Sequence, residues 1–237
     1  MGVESHSWVG SLEVGVGAGA WAGDAEATHR WLKVGTVVEM RRVAAVVLCA
    51  GGASRWQASA AAEGLSVSHK LLAPLRGRTI VEWAIEHALE AALDATIVVS
   101  GSVALPVAIT TDARVTIVHN PRWIDGQAGS LGLGLEACAA MGVDAAICGL
   151  GDQPFIESDA WELVARSATG TPIAVATYGG ARRNPVRLDA SVWPLVPRTG
   201  DEGARALMRS RPDWVTEVAC QGNPADIDTV EDLLSWS

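Results

Sequence analysis

Positive charge is scarce in this sequence. Of its 237 residues, 18 are lysine or arginine and 27 are aspartate or glutamate, which gives a formal net charge of -9 at pH 7. Because binding to a phosphate backbone requires a continuous basic face, this balance argues against a nucleic-acid-binding protein. Lysine is the scarcer cation. Lys33 and Lys70 stand beside sixteen arginines, so each lysine is an unusual choice.

Long apolar segments are also missing. No run approaches the roughly 18 uninterrupted apolar residues of a membrane span. The N-terminus has no basic start followed by an apolar stretch, which is the pattern of a secretory signal. We therefore expect a cytoplasmic protein without a membrane partner.

The cysteines lack the spacing of a metal site or a disulfide framework. They are Cys49, Cys138, Cys148 and Cys220. No two of them form a CxxC pair, and three of them lie in apolar segments. Because zinc sites and disulfide-rich folds require tighter clustering, we expect buried, reduced thiols.

Residues 1–41 differ in composition from the rest of the chain. They are rich in Gly, Ala, Ser and Trp and show no sustained period of 2 or 3.6 residues, which predicts a low-order N-terminal extension. The run Gly15–Ala20 contains a GxGxxA pattern. A dinucleotide-binding turn needs a buried strand before it, and Ser11–Val14 is too short and too polar for one. We therefore expect no cofactor site there and place a single domain over residues 42–237.

From residue 43 onward, strand-like and helical segments alternate. Val43–Cys49 is a continuous apolar run of strand length, and Thr79 is a plausible cap for a helix that extends to Leu93. Further strands are predicted at 95–99, 115–118, 145–148 and 172–176, and further helices at about 130–141 and 159–167. The alternation predicts a three-layer, doubly wound α/β domain with a mostly parallel sheet. Its ligand crevice should lie beyond the carboxyl ends of the strands.

The segment after the first strand is suited to phosphate binding. Gly51 and Gly52 let a ligand approach the backbone, and successive N–H groups in such a turn attract phosphate oxygens. Arg55 adds a permanent charge whose planar fork suits pyrophosphate. Lys70 is a compact cation that an acidic chain would need for a polyanionic ligand. Taken alone, the turn and Arg55 also fit a tight turn with a surface arginine, and Lys70 fits a solvated surface residue.

Two acidic segments complete the pattern. Asp152 directly follows a predicted central strand and should face the crevice. Magnesium suits such a position, because it takes one or two carboxylates and completes its shell with water and phosphate oxygens. Asp228 is the candidate second carboxylate, with Asp226 as its rival. Asp228 or Thr229 could instead cap the helix that follows.

In this order, the motifs resemble those of the molybdenum cofactor nucleotidyltransferase family. The matching segments are residues 48–55, 69–75, 150–154 and 226–229, and the likeness covers about residues 43–237. Together with the Gly-Asp-Glu-Gly-Ala-Arg segment at 200–205, it is closest to the cytidylyltransferase branch, which joins CMP from CTP to molybdopterin for enzymes of the xanthine dehydrogenase type. The resemblance implies a Rossmann-like NTP transferase domain over residues 42–237. It also implies Mg²⁺ as cofactor, CTP or GTP and molybdopterin as substrates, and a molybdoenzyme of that type as partner.

The resemblance also implies a role for each matching residue. The implied catalytic residues are Arg55, Lys70 and Asp152. The nucleotide would be bound by Ala50, Gly51, Gly52, Ser54, Arg55, Lys70, Asn120, Gly126 and Ser130. The acceptor would lie near Arg183, Asn184 and Pro185, and the metal would be bound by Asp152 and Asp228.

The hypothesis is an attack by the terminal phosphate of molybdopterin on the α-phosphorus of the nucleotide, with pyrophosphate as the leaving group. Because that phosphate is already ionised, His69 and His119 are expected to have positioning or structural roles rather than to act as bases. Two different functions stay open. The same nucleotide-binding residues could serve a guanylyltransferase, or a nucleotidyltransferase whose acceptor is a sugar phosphate or a phospho-alcohol. The chain could also be a non-catalytic, nucleotide-binding molybdopterin carrier, although three charged candidates weigh against it.

Overall fold

The computed structural model describes residues 41–64, 66, 69–167 and 170–236. Apart from Arg41, the predicted N-terminal extension and its glycine run lie outside the described residues, and the domain boundary stays a prediction. Within the described part, no helix is both long enough and apolar enough to cross a membrane.

A mostly parallel sheet of seven strands forms the middle layer. The strands of the described residues are β1 Val43–Cys49, β2 Pro74–Leu75, β3 Arg78–Thr79, β4 Ala95–Ser100, β5 Val115–His119, β6 Ala145–Leu150, β7 Ile173–Tyr178, β8 Ala181–Asp189 and β9 Val215–Ala219. The order across the sheet is β5-β4-β1-β6-β8-β7-β9, and β2 pairs with β3 in a separate hairpin. Neighbouring strands run parallel except where β8 pairs with β6 and β7. The predicted α/β class is confirmed.

Helices flank the sheet close to their predicted places. The α-helices of the described residues are α1 Ser54–Ala62, α2 Ile80–Glu90, α3 Val107–Thr110, α4 Gln127–Ala140, α5 Ser158–Arg166, α6 Ala204–Ser210 and α7 Val230–Trp236. Short 3₁₀ turns cover Lys70–Leu72, Trp123–Asp125, Ala190–Leu195 and Pro212–Trp214. The predicted cap of α2 is present, because Thr79 Oγ1 accepts from the Glu82 N–H while the Glu82 carboxylate accepts from the Thr79 N–H at 2.7 Å.

The central strand β1 separates two apolar layers. Every residue of β1 is buried. Ala45 and Val47 belong to the cluster that packs against α2 and α5, whereas Ala44 and Val46 belong to the cluster on the α4 side. This alternation follows from the two-residue period of a strand and makes the domain three-layered. All four cysteines are buried and free, as expected.

Gly149 in β6 supports a prediction about packing between the sheet and α5. A β-carbon at Gly149 would lie 2.5 Å from Cη2 of the buried Trp161 side chain. Overpacking of this kind costs about 1–3 kcal/mol, so Gly149→Ala should lower the free energy of unfolding by that amount.

The matched control is Gly129→Ala in helix α4, where the nearest atom, Arg198 O, lies 3.6 Å from the added β-carbon. Because Gly129 lies in the first turn of α4, where glycine costs less than in a helix interior, this change should raise stability by at most about 0.5–1 kcal/mol. Denaturant titration of both variants measures the difference, and equal midpoints would contradict the packing account.

Candidate functional site

The glycine turn joins the end of β1 to the start of α1. Ala53, the residue before the helix, has a φ of 54°, and no described side chain caps the helix there. The first N–H groups of a helix have no partner within the helix, and the helix dipole attracts negative charge. The turn therefore presents N–H groups suited to the oxygens of a phosphate.

A cavity of about 550 Å³ lies over this turn. The sequence-predicted residues that line it are Ala50, Gly51, Gly52, Ser54, Arg55, Lys70, Gly126, Ser130, Asp152 and Asp228. Asn120, Arg183, Asn184 and Pro185 are not among its lining residues. The structure thus brings the three candidate catalytic residues and most candidate nucleotide-binding residues together, and it places the candidate acceptor residues elsewhere.

Lys70 connects the two carboxylates of the cavity. Its Nζ lies 2.5 Å from Asp152 Oδ2 and 2.6 Å from Asp228 Oδ1. The side chains of Lys70, Asp152 and Asp228 are 12%, 18% and 17% exposed. Arg55 Nη1 lies 2.7 Å from the other oxygen of Asp228, but 74% of the Arg55 side chain is exposed. Lys70 is therefore the less exposed cation of the cluster, and Arg55 extends from it to the surface.

The charge of Lys70 is strongly favoured by its surroundings. Burial acts to lower the pKa of Lys70, but the carboxylates of Asp152 and Asp228 outweigh it and hold this pKa above its usual value. An ammonium group with a raised pKa stays protonated at neutral pH. Lys70 therefore acts as a fixed positive charge and not as a base.

The carboxylates fit a divalent cation that is mostly bound by its substrate. Asp152 Oδ1 is buried and has no hydrogen-bond partner among the described residues. Such an oxygen is a suitable ligand for a hard cation. No group of three or more His, Cys, Asp or Glu side chains in the described part of the chain forms a complete metal cage. A hard cation such as Mg²⁺ takes few protein ligands and keeps water and phosphate oxygens in its shell, so one or two carboxylates can hold it.

Of the two residues that could cap the last helix, Thr229 does so, together with Asp232, and Asp228 does not. Asp232 Oδ2 accepts from the N–H groups of Asp228 and Thr229 at 3.0 and 2.9 Å, and Thr229 Oγ1 accepts from the Asp232 N–H at 3.1 Å. The Asp228 carboxylate is thereby left for Lys70 and Arg55. Its rival Asp226 accepts instead from Gln153 Nε2 at 2.5 Å.

Asn120 supports the cavity from behind. It is 3% exposed, and its Nδ2 donates to Ser130 Oγ at 2.9 Å, while its Oδ1 accepts from the Arg122 N–H. Asn120 therefore holds the start of α4 against the end of β5. Ser130, not Asn120, reaches the cavity.

The candidate acceptor residues lie on β8, where the sequence pattern predicts no strand. Arg183 is exposed, and Asn184 Nδ2 donates to Gln153 Oε1 at 2.8 Å. Gln153 is 4% exposed and follows Asp152 directly. Gln153 thus connects β8 to the acidic segment around Asp226, a role that no local motif indicates because the partners are far apart in sequence.

Among the other residues that line the cavity are Trp123, Asp201 and Cys49. The Trp123 ring packs on the turn, because a β-carbon at Gly52 would lie 2.7 Å from Trp123 Cζ3. Asp201 Oδ1 accepts from the Gln127 N–H at 3.3 Å at the start of α4. Burial and, after it, the charge of Asp152 raise the pKa of the Cys49 thiol, so this thiol does not act as a nucleophile.

Gly126 shows why its position requires glycine. Its φ is 108°, and a β-carbon there would lie 2.5 Å from Gly200 O. Both the left-handed backbone and the close approach exclude a larger residue. This contact packs the loop around Gly200 against the start of α4, beside the cavity.

Comparisons with known proteins show what this chain is similar to. The sequence model of the MobA-like NTP transferase domain matches residues 45–215. The chain is 31% identical over 203 residues to nicotine blue oxidoreductase of Paenarthrobacter nicotinovorans, which covers 81% of this chain and 94% of that protein. A nucleotidyl transferase from Methanothermobacter thermautotroptrophicus is 26% identical with a TM-score of 0.71, covering 82% of this chain and 95% of that one. A Mycobacterium tuberculosis H37Rv protein solved in complex with manganese is 24% identical with a TM-score of 0.62, covering 82% and 97%.

Proposed function

Because the chain belongs to the MobA-like NTP transferase family and is an enzyme of nucleotidyltransferase type, we propose that it transfers CMP from CTP to molybdopterin. Pyrophosphate is the second product, and Mg²⁺ is the required metal. The choice of CTP and molybdopterin follows the motif likeness to the cytidylyltransferase branch. The product would serve a molybdoenzyme of the xanthine dehydrogenase type.

One observation carries the proposal. Lys70 contacts both Asp152 and Asp228 inside a single cavity that the glycine turn also lines. A metal-bound triphosphate is held by cations, backbone N–H groups and a carboxylate within one site, and this cavity has a candidate for each.

The reaction needs little covalent help from the protein. An oxygen of the molybdopterin phosphate forms a bond to the α-phosphorus, and the bond from that phosphorus to the bridging oxygen of pyrophosphate breaks. Negative charge moves onto the leaving pyrophosphate. Lys70 and Arg55 would balance that charge, and the N–H groups at Gly51, Gly52 and Ser54 would hold the phosphates in line for the attack.

Asp152 and Asp228 would hold the metal. The buried and unpartnered Oδ1 of Asp152 supports this assignment, and the manganese complex of the structurally similar mycobacterial protein supports a divalent ion. Bound Mg²⁺ would neutralise the phosphate oxygens and polarise the reacting phosphoryl group.

The acceptor would bind beside β8. Arg183 offers an exposed guanidinium for the phosphate of molybdopterin. Asn184 and Pro185 would shape the same edge, and Gln153 links Asn184 to the segment that carries Asp152. Gly126 and Ser130 would lie on the nucleoside side, and Asn120 would act there through its hydrogen bond to Ser130.

A second candidate function is that of an oxidoreductase. The relative from Paenarthrobacter nicotinovorans has that name and is 31% identical over 203 residues. An activity of this class would need a redox cofactor, whose phosphates would occupy the same cavity. The cavity would equally accommodate transfer of GMP, transfer to a sugar phosphate or phospho-alcohol, or cofactor carriage without chemistry.

Pyrophosphate release distinguishes these candidates. We expect the purified protein with Mg²⁺ to release pyrophosphate from CTP only when molybdopterin is present, and to release at least tenfold less from GTP. Preference for GTP would indicate a guanylyltransferase, and release with a sugar phosphate in place of molybdopterin would change the acceptor. CTP binding without any release would indicate a carrier. Oxidation of a reduced nicotinamide with no pyrophosphate formed from any nucleotide would favour the oxidoreductase.

A further inference from the structure

His69 lies between the glycine turn and Lys70. Its side chain is buried, at 4% exposure. Its Nε2 lies 2.9 Å from Gly51 O and 3.1 Å from Ser102 Oγ, and its Nδ1 accepts from the Leu71 N–H at 3.2 Å. One ring therefore contacts three segments that are far apart in the sequence.

The hydrogen bonds fix the state of this ring. Since Nδ1 accepts an N–H, it carries no proton, and in the neutral ring the proton lies on Nε2. Nε2 therefore donates to Gly51 O. Burial lowers the pKa of His69, and Lys70 acts in the same direction, whereas the bond to Gly51 and the charge of Asp152 act against it.

The Gly51 carbonyl is held from two sides. Ser102 Oγ donates to it at 2.5 Å, and His69 Nε2 donates at 2.9 Å, so both acceptor positions of the oxygen are used. The bond from Gly51 to Gly52 is trans, because the cis bond of the described chain lies elsewhere. In a trans peptide the carbonyl and the following N–H point in opposite directions. Fixing the carbonyl therefore fixes the direction of the Gly52 N–H, away from His69 and Ser102.

We propose that His69 is a positioning residue for the phosphate-binding turn. His69 and Ser102 fix the Gly51 carbonyl by hydrogen bonds and so direct the Gly52 N–H toward the cavity. Through Nδ1, the same ring holds the 3₁₀ turn on which Lys70 lies. His69 thereby fixes the position of the Gly52 N–H relative to the Lys70 ammonium. Because both donors are already in place, they need no reorganisation when phosphate binds.

This inference rests on the proposed nucleotide-binding function, and two substitutions separate the two halves of the ring. In His69→Gln, the amide nitrogen takes the place of Nε2 and keeps the donor to Gly51, whereas the acceptor for Leu71 is lost. In His69→Asn, the amide oxygen takes the place of Nδ1 and keeps the acceptor, whereas the donor is lost. His119→Asn is the control, because this exposed histidine hydrogen-bonds Ser100 and does not line the cavity.

The measurement is calorimetric titration of each variant with CTP and with inorganic tripolyphosphate in Mg²⁺, together with thermal midpoints. In His69→Asn the Gly52 N–H is no longer directed at the phosphate, and a hydrogen bond to a charged group contributes about 1.5–3 kcal/mol. His69→Asn should therefore bind both probes about 10- to 100-fold more weakly than wild type. His69→Gln should bind them at least tenfold more tightly than His69→Asn, even where its thermal midpoint is the lower of the two. The KM for CTP should likewise be higher in His69→Asn than in His69→Gln.

Each remaining outcome has a distinct meaning. Equal affinities of His69→Gln and His69→Asn, or tighter binding by His69→Asn, would overturn the positioning role while leaving the proposed function in place. A clear difference between the variants without nucleotidyl transfer by wild type would keep the positioning role and remove the proposed function. Wild-type protein that binds neither probe would overturn both.

Discussion

Replacing Lys70 by alanine is expected to lower nucleotidyl-transfer turnover by about 10²- to 10³-fold, the usual cost of removing a well-placed electrostatic group. The same substitution should tighten Mg²⁺ binding in the absence of nucleotide. Lys70 Nζ contacts one oxygen of Asp152 and one of Asp228, so it competes with a metal ion for the same carboxylates. Without the ammonium, two carboxylates face each other beside the exposed Arg55, and a divalent cation relieves that repulsion.

These two effects of Lys70→Ala go in opposite directions, which makes the test specific. Turnover should stay low at saturating Mg²⁺, while the rise in thermal midpoint on adding Mg²⁺ should be larger than in wild type. Because the pKa of Lys70 is raised, the loss should be the same across the neutral pH range. Arg78→Ala is the control, since Arg78 is an exposed cation that pairs with Glu86 and does not line the cavity. Recovery of turnover by Mg²⁺ alone would show that Lys70 only neutralises the carboxylates.

The sequence predicts the strands from β5 to β6 better than those from β8 to β9, in the order in which they lie across the sheet. Strands β1, β4 and β6 are buried on both faces, so they appear as continuous apolar runs that leave little choice of structure. β8 is different. Its first residues, including Arg182 and Arg183, are exposed, and only its second half is buried. Its charged residues and Pro185 therefore resemble a loop, although its second half pairs with β6 in the middle of the sheet.

The candidate site follows the same distinction. Asp152 is predictable because a residue directly after a central parallel strand faces the crevice. The glycine turn is predictable because its residue types have few other uses. The contacts of Gln153 and His69 depend on partners from distant segments, and no periodicity in the sequence encodes such pairings. The roles of the site residues stay proposals, whereas the position of Lys70 between two acids follows from the fold.

The second large effect is expected for Asp152→Asn. This change keeps the size of the side chain but removes its charge, and the amide can keep one oxygen toward Lys70 only by placing its NH₂ group at the buried position of Oδ1. Because that position has no partner among the described residues, the substitution exchanges the free metal ligand for an unsatisfied donor. Turnover with CTP and Mg²⁺ should fall by about 10²- to 10³-fold. Mg²⁺ affinity should fall with it, in contrast to Lys70→Ala.

Asp144→Asn is the matched control, because Asp144 and Asp152 flank the same strand, β6, at opposite ends. Asp144 Oδ2 accepts from the Arg42 N–H at 2.9 Å. At the usual rise of a strand, Asp144 lies on the order of 20 Å from Asp152. Steady-state turnover and metal titration of the two variants should therefore differ widely, while circular dichroism shows both to be folded. Wild-type turnover in Asp152→Asn would remove the metal role of this carboxylate. Because the proposed chemistry needs a metal at the phosphates, the ion would then have to be held by Asp228 and the substrate alone.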